Sequence, residues 1–173
     1  MQGKWIRLQA ETPPRPQVRV RLATPAVAWD LMAPGTCALL DEPDEERAWK
    51  AVTSFPGAMG AALLDQSVVA GVGNVLRAES LFRAGVHPRC AAAGVDRHTF
   101  HRLWTSLVDL MRQSVGDARI ISVALPAAER ATVAEADGRM VYKQAACRAC
   151  ATPVDTWTTD GRTAYACPKC QPR

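Results

Sequence analysis

The chain has 173 residues, 48% of them hydrophobic and 22% charged, with a formal net charge of +4. That length and apolar content allow one buried core with small attachments. No segment approaches the run of apolar residues that a membrane span needs, and the opening Met1-Gln2-Gly3-Lys4-Trp5 has no stretch resembling a signal peptide, so a soluble cytoplasmic protein without a membrane partner is expected.

The charge is unevenly spread. From Asn74 onward there are fourteen Lys and Arg against nine Asp and Glu, whereas residues 1–73 carry seven against eight. Twelve of the fourteen basic residues are Arg, whose planar fork matches phosphate geometry, although an Arg-rich solvated face reads the same way. Charge alone argues only weakly for nucleic acid.

In chain order, Lys4 to Gln9, Val18 to Ala23 and Ala26 to Leu31 read as short strands. The Pro-rich stretch Thr12 to Pro16 and the pair Thr24-Pro25 separate them. Three such strands make a poor unit alone, so the sheet either lacks something or lies against a helical body. Asp41 to Glu46, with five acids in six residues, reads as a linker or solvated helix start leading into a short helix around Arg47 to Thr53. Ala61 to Ala70 predicts an apolar helix ended by Gly71-Val72-Gly73. Asn74 then stands where an N-cap is wanted for a second helix, Val75 to Ala84, which Gly85 stops before the turn His87-Pro88. Asp96 can cap a third helix, in which Phe100, Leu103, Trp104, Leu107, Val108, Met111 and Val115 form an apolar stripe read as core. Arg119 to Leu125 reads as extended, and Pro126 to Asp137 as a loop or short helix.

The C-terminal region carries Cys147, Cys150, Cys167 and Cys170 as two C-x2-C pairs sixteen residues apart. Each pair can put two thiolates on one turn, and the excursion between them is long enough for a hairpin that completes a tetrahedron around one structural Zn2+. Two disulfides or four unrelated thiols are the alternatives. Cys37 and Cys90 read as free thiols in a reducing compartment, with a Cys37–Cys90 disulfide as the alternative.

Two further places suggest anion binding. Backbone N–H groups at Gly73 and the start of the following helix can face a phosphate with help from the helix dipole, and Asn74 can cap or donate, but any tight helix-helix turn also wants glycine. Asp160-Gly161-Arg162 reads as a hairpin turn between the β-like runs Thr156 to Thr159 and Thr163 to Ala166. It displays Arg162 near the tip, either for a phosphate or as an ordinary exposed arginine. The histidines His87, His98 and His101 show no link to a nucleophile, and no Walker loop or catalytic carboxylate pair stands out.

Taken together, Leu63-Leu64-Asp65-Gln66 through Gly71-Val72-Gly73-Asn74, then Glu79 and Leu81-Phe82-Arg83-Ala84-Gly85-Val86-His87-Pro88, resemble the helix-two-turn-helix of the formamidopyrimidine-DNA glycosylase and endonuclease VIII family. Val141-Tyr142 before the first cysteine pair, Thr152-Pro153-Val154 after it, and Arg162-Thr163 with Tyr165 before the second pair resemble the zinc finger of the same family. The resemblance implies a mainly α fold with β: partial N-terminal β-sandwich strands over 1–40, a linker and short helix over 41–56, a helix-two-turn-helix DNA-binding domain over 57–140 and a zinc-finger β-hairpin over 141–173. It also implies that Gly73 and Asn74 hold phosphates flanking a lesion, that Arg162 grips the same backbone, and that Lys143 adds a contact. The implied activity is base-excision repair of oxidised bases, endonuclease VIII-like, by a bifunctional glycosylase and AP lyase that flips the damaged base into a pocket between two domains. The implied partner is double-stranded DNA with damaged bases or abasic sites, bound by a monomer in the bacterial cytoplasm at the nucleoid.

One departure is at the start. Family enzymes attack with an N-terminal proline beside a glutamate, whereas this chain begins Met1-Gln2-Gly3, and Pro13, Pro14 and Pro16 are internal amides. The chain as given is therefore expected to lack the nucleophile and to be inactive, which leaves a non-catalytic zinc module for damaged DNA, or a zinc-stapled protein-interaction domain, as rival readings. A smaller departure is Ala151, where the family usually has glycine after the second cysteine.

Overall fold

The computed structural model describes residues 4–32, 44–159 and 161–173. Met1 to Gly3, Cys37, Asp41 to Pro43 and Asp160, all used in the sequence reading, lie outside the described residues. The chain divides into two compact units, Met1–Glu42 and Pro43–Arg173.

The first unit holds an antiparallel sheet of β1 (Lys4–Gln9), β2 (Val18–Ala23) and β3 (Val27–Met32), with β3 in the middle. Thr24 makes the tight β2–β3 connection: its hydroxyl accepts from the N–H of Val27 at 3.1 Å, and its own N–H donates to Val27 O at 2.8 Å. Arg21 and Asp30 stand opposite each other in the register and form a bidentate pair at 2.6 and 2.8 Å, while Arg21 Nη1 also reaches Thr12 O. The guanidinium hydrogen bond holds the Asp30 carboxyl below its ordinary range, which lets a buried carboxylate sit in a sheet.

The second unit begins with α1 (Glu45–Thr53). Asp44 accepts the Arg47 N–H at 2.9 Å, and Glu45 and Glu46 fill the first turn, where the helix dipole favours acids. The acidic run is thus in part a helix start. The expected helix over Ala61 to Ala70 is corrected to a single turn, α2 (Met59–Ala62), followed by turns. Side chains compete with the helix here. Asp65 accepts from the Ser67 N–H at 2.9 Å, and Gln66 donates to Val72 O at 3.1 Å while accepting the Gly71 N–H at 2.9 Å. Leu63, Val69 and Val72 nevertheless stay buried. Gly71 takes φ +84°, which explains a glycine there.

α3 (Asn74–Ala84) starts one residue earlier than expected, so Gly73 is the N-cap and Asn74 the first helical residue. It ends in a left-handed Gly85, with Val86 N–H bonded to Leu81 O at 2.9 Å. α4 (Arg97–Asp117), capped by Asp96, packs against α3 through Phe100, Leu103, Leu107 and Leu110. Trp104 and Met111 border that core. Val115 is 85% exposed, which corrects its place in the stripe: it lies beyond Leu110, the last buried residue of the helix. Arg119 to Leu125 is not a strand, and α5 (Ala127–Arg130) is one turn. A hairpin of β4 (Asp155–Thr159) and β5 (Arg162–Ala166) ends the fold, with Thr159 opposite Arg162 and Gly161 at φ +71°.

Candidate metal centre and nucleic-acid interface

α3 is buried on two sides. One face enters the α4 core, and the other meets a second cluster in which Ala78 packs with Val141, Cys147 and Cys167, bordered by Phe82, Tyr142 and Tyr165. Buried among these surfaces is Glu79, 0% exposed. Its carboxylate accepts three consecutive backbone N–H groups, Met140 at 2.8 Å, Val141 at 3.1 Å and Tyr142 at 2.7 Å, and also the Ser122 hydroxyl. One side chain therefore fixes the approach to the first cysteine pair.

At the cysteine quartet the four sulfurs all lie within 4.8 Å of one another. Cys150 Sγ is 3.5 Å from both Cys167 Sγ and Cys170 Sγ, and Cys147 Sγ is 3.9 Å from Cys170 Sγ, so none of these is a disulfide. Four thiolates around Zn2+ at about 2.3 Å would be about 3.8 Å apart, and the spacing fits such a metal. The Thr152 hydroxyl and then its backbone N–H hold Cys150 down to about 6, while burial and then the neighbouring thiols push Cys170 up to about 12. Such a crowd of sulfurs cannot all ionise without a cation among them. Ala151 follows the second cysteine at φ +57°, so the left-handed bend expected of glycine is kept by alanine. Cys90, the other described cysteine, is a free thiol whose burial raises its pKa.

Two contacts that the sequence did not signal tie the hairpin to the helices. Gln171, 0% exposed, accepts the Cys167 N–H at 3.0 Å and donates to Val86 O at 2.8 Å. His87 stacks on Trp157 of β4, with ring centroids 5.6 Å apart and planes 3° apart, and the Arg89 guanidinium sits 4.2 Å from the Trp157 centroid. Histidine here is a packing residue. His101 bonds Glu45 at 3.1 Å and His98 bonds Arg102 at 3.1 Å, both exposed pairs.

The expected phosphate-binding residues fall as follows. Gly73 caps α3 with no side-chain hydrogen bond, and a Cβ built there would meet nothing within 4 Å, so the first turn of α3 is open to approach. Asn74 is half-buried; its Nδ2 donates to Thr163 O at 3.0 Å, and its Oδ1 has no partner among the described residues. Arg77, 1% exposed, donates from Nη2 to the same carbonyl at 2.9 Å. Thr163 is the neighbour of Arg162 on β5, and Arg162 is exposed. The start of α3 and the base of the hairpin tip are thereby joined. Lys143 is exposed at φ +56°, with Nζ 5.6 Å from the Tyr142 ring centroid. Among the described residues no helix is long and apolar enough to cross a membrane.

Residues 35–124 match the formamidopyrimidine-DNA glycosylase H2TH domain. The chain is 32% identical over 193 residues to endonuclease 8 1 of Mycobacterium tuberculosis, across 97% of this chain and 72% of that protein. It is 30% identical over 200 residues to the formamidopyrimidine-DNA glycosylase of Thermosynechococcus vestitus, across 99% and 70%. Among solved structures, the complex of Lactococcus lactis Fpg with DNA containing an abasic site is similar in fold, with a TM-score of 0.64 at 18% identity over 100% of this chain and 73% of that one.

Proposed function

The chain belongs to the formamidopyrimidine-DNA glycosylase and endonuclease 8 family, and we propose that its 173 residues bind double-stranded DNA carrying damaged bases or abasic sites in base-excision repair. The phosphate contacts are the open first turn of α3 at Gly73 and Asn74, the exposed Arg162, and Lys143. One structural Zn2+ on Cys147, Cys150, Cys167 and Cys170 holds the hairpin; bound there, it keeps the thiolates ionised and does not meet the substrate. The observation that carries this reading is the sharing of the Thr163 carbonyl by Asn74 and Arg77, which sets a donor-rich helix start beside an arginine on a cysteine-stapled hairpin. A relative named formamidopyrimidine-DNA glycosylase, another named endonuclease 8 1, and a solved structure of similar fold in complex with abasic-site DNA support the ligand class. Oxidised bases, in the endonuclease VIII manner, are the proposed lesions.

The test is affinity for a duplex with an abasic-site analogue across a salt series. Binding should weaken with a log–log slope that reports charged phosphate contacts; Arg162→Ala should flatten it by about 0.9, whereas Asn74→Ala, which removes a neutral donor, should lower affinity at every salt with the slope kept. Equal affinity of both variants and the parent at every salt would remove these residues from the interface.

A further inference from the structure

Arg77 is an unusual residue to find on the doubly covered part of a helix. It is 1% exposed, one turn after Asn74 on the same side of α3, and a guanidinium taken out of water is costly unless its bonds matter. The bond shown is to the hairpin: Nη2 to Thr163 O at 2.9 Å. That carbonyl accepts Asn74 Nδ2 at 3.0 Å as well, so the helix start and β5 share one acceptor. A charged donor makes such a bond roughly twice as strong as a neutral one, and it acts on the backbone beside Arg162.

We infer that Arg77 is a positioning residue for DNA-backbone binding: through the Thr163 carbonyl it fixes the strand that carries Arg162 against the start of α3, so that Arg162 and Asn74 act as one grip. The inference rests on the DNA reading of those two residues, but its mechanical half does not need DNA. Neither the sequence spacing nor the cysteine pattern signals it, because the partners are 86 positions apart.

The experiment compares the zinc-loaded parent with Arg77→Met, which keeps the stem and removes charge and donor, and with Arg77→Gln, which keeps a neutral donor. Backbone 15N relaxation without DNA is read first. Arg162 and Thr163 amides should gain fast motion in Arg77→Met and less in Arg77→Gln, at unchanged zinc content; unchanged motion in both variants overturns the inference whatever DNA does. Binding to the abasic-analogue duplex is read second. Arg77→Met should flatten the salt slope by about 0.9, as loss of one phosphate contact does, and should add nothing in an Arg162→Ala background. A slope unchanged by Arg77→Met while Arg162→Ala flattens it, or multiplying losses in the double variant, overturns the inference, since a purely structural arginine would lower the melting temperature alone. If Arg162→Ala leaves binding intact while the relaxation result holds, the DNA reading fails and the mechanical link stands.

Discussion

Asn74 and Thr163 are 89 positions apart, yet the Asn74 amide donates to the Thr163 carbonyl at 3.0 Å. This bond joins a glycine turn and a cysteine-stapled hairpin, the two features that the sequence offered separately as anion sites. Each was ambiguous alone, because glycine serves any tight turn and an exposed arginine needs no ligand. Their joining turns two weak signals into one surface. The remaining contacts between the hairpin and α3 set how firmly that surface is held, and they are open to measurement.

Glu79 should be the most sensitive polar position. Its carboxylate receives three backbone N–H groups while fully buried, and glutamine would aim an N–H pair into that cluster of donors. Glu79→Gln is expected to cost about 2–3 kcal/mol in urea unfolding of the metal-loaded protein, the usual range for losing charge-assisted bonds. A cost under about 0.5 kcal/mol would show that the loop before Cys147 is held by other means.

Two alanines occupy left-handed backbone, Ala118 at the end of α4 at φ +54° and Ala151 after the second cysteine at φ +57°. An L-residue pays about 1–2 kcal/mol there, and glycine returns roughly 0.4–1 kcal/mol of that as added freedom in the unfolded chain. Ala118→Gly and Ala151→Gly are each expected to stabilise by about 0.5–1 kcal/mol. Since the sites lie in different elements, the double variant should be additive. Thermal melts of the four proteins decide it.

Much of this architecture is legible in the sequence, and the exceptions share a cause. The α4 helix, the Asp96 cap, the Gly85 stop and the two hairpin strands follow from local rules of period and turn chemistry, and these elements form as expected. The helix expected over Ala61 to Ala70 fails because Asp65 and Gln66 bond the backbone of residues a few positions away, which a count of apolar residues does not register. Val115 fails because periodicity predicts a face and not how far a neighbour covers it. Arg77 and Gln171 act through partners 86 and 85 positions away, so no local pattern marks them, and Glu79, though part of the family resemblance, gives no local sign of its partners 61 to 63 positions away. The signal available was a charged or polar residue in a stretch otherwise apolar enough to be buried.

His87 gives the fold a pH dependence with a definite sign. Burial first, then Arg173 and Arg89, lower its pKa, while Asp155 opposes them more weakly; its Nδ1 accepts the Arg89 N–H at 3.1 Å, so the folded state favours the neutral ring. Unfolded, the imidazole takes a proton near pH ~6.5. Below that pH the unfolded chain binds more protons, so stability falls as pH drops from about 6.5 toward the lower folded value and is unaffected above it. His87→Asn keeps an acceptor and removes the titration. Melting temperatures at pH 7.5 and 5.5 should therefore converge for the variant relative to the parent, and an equal acid-induced drop in both would assign the effect to other groups.

Metal removal should separate the two clusters around α3. Among the described residues the apolar cluster at the hairpin is small, made by Ala78, Phe82, Val141, Val154 and the Tyr142–Tyr165 pair beside the cysteines, whereas the α3–α4 core is built from many aliphatic residues and needs no metal. A strong chelator is expected to release the four thiols to a thiol reagent and to unstack Trp157 from His87, changing tryptophan fluorescence. Far-UV helix signal should fall little. Because the Thr163 carbonyl leaves Asn74 and Arg77 when the hairpin unfolds, DNA affinity should drop further than in Arg162→Ala alone, and adding Zn2+ back should restore it. Loss of most helix signal together with the metal would mean that the core depends on the finger. Retention of full DNA affinity without metal would mean that the grip on the backbone lies elsewhere.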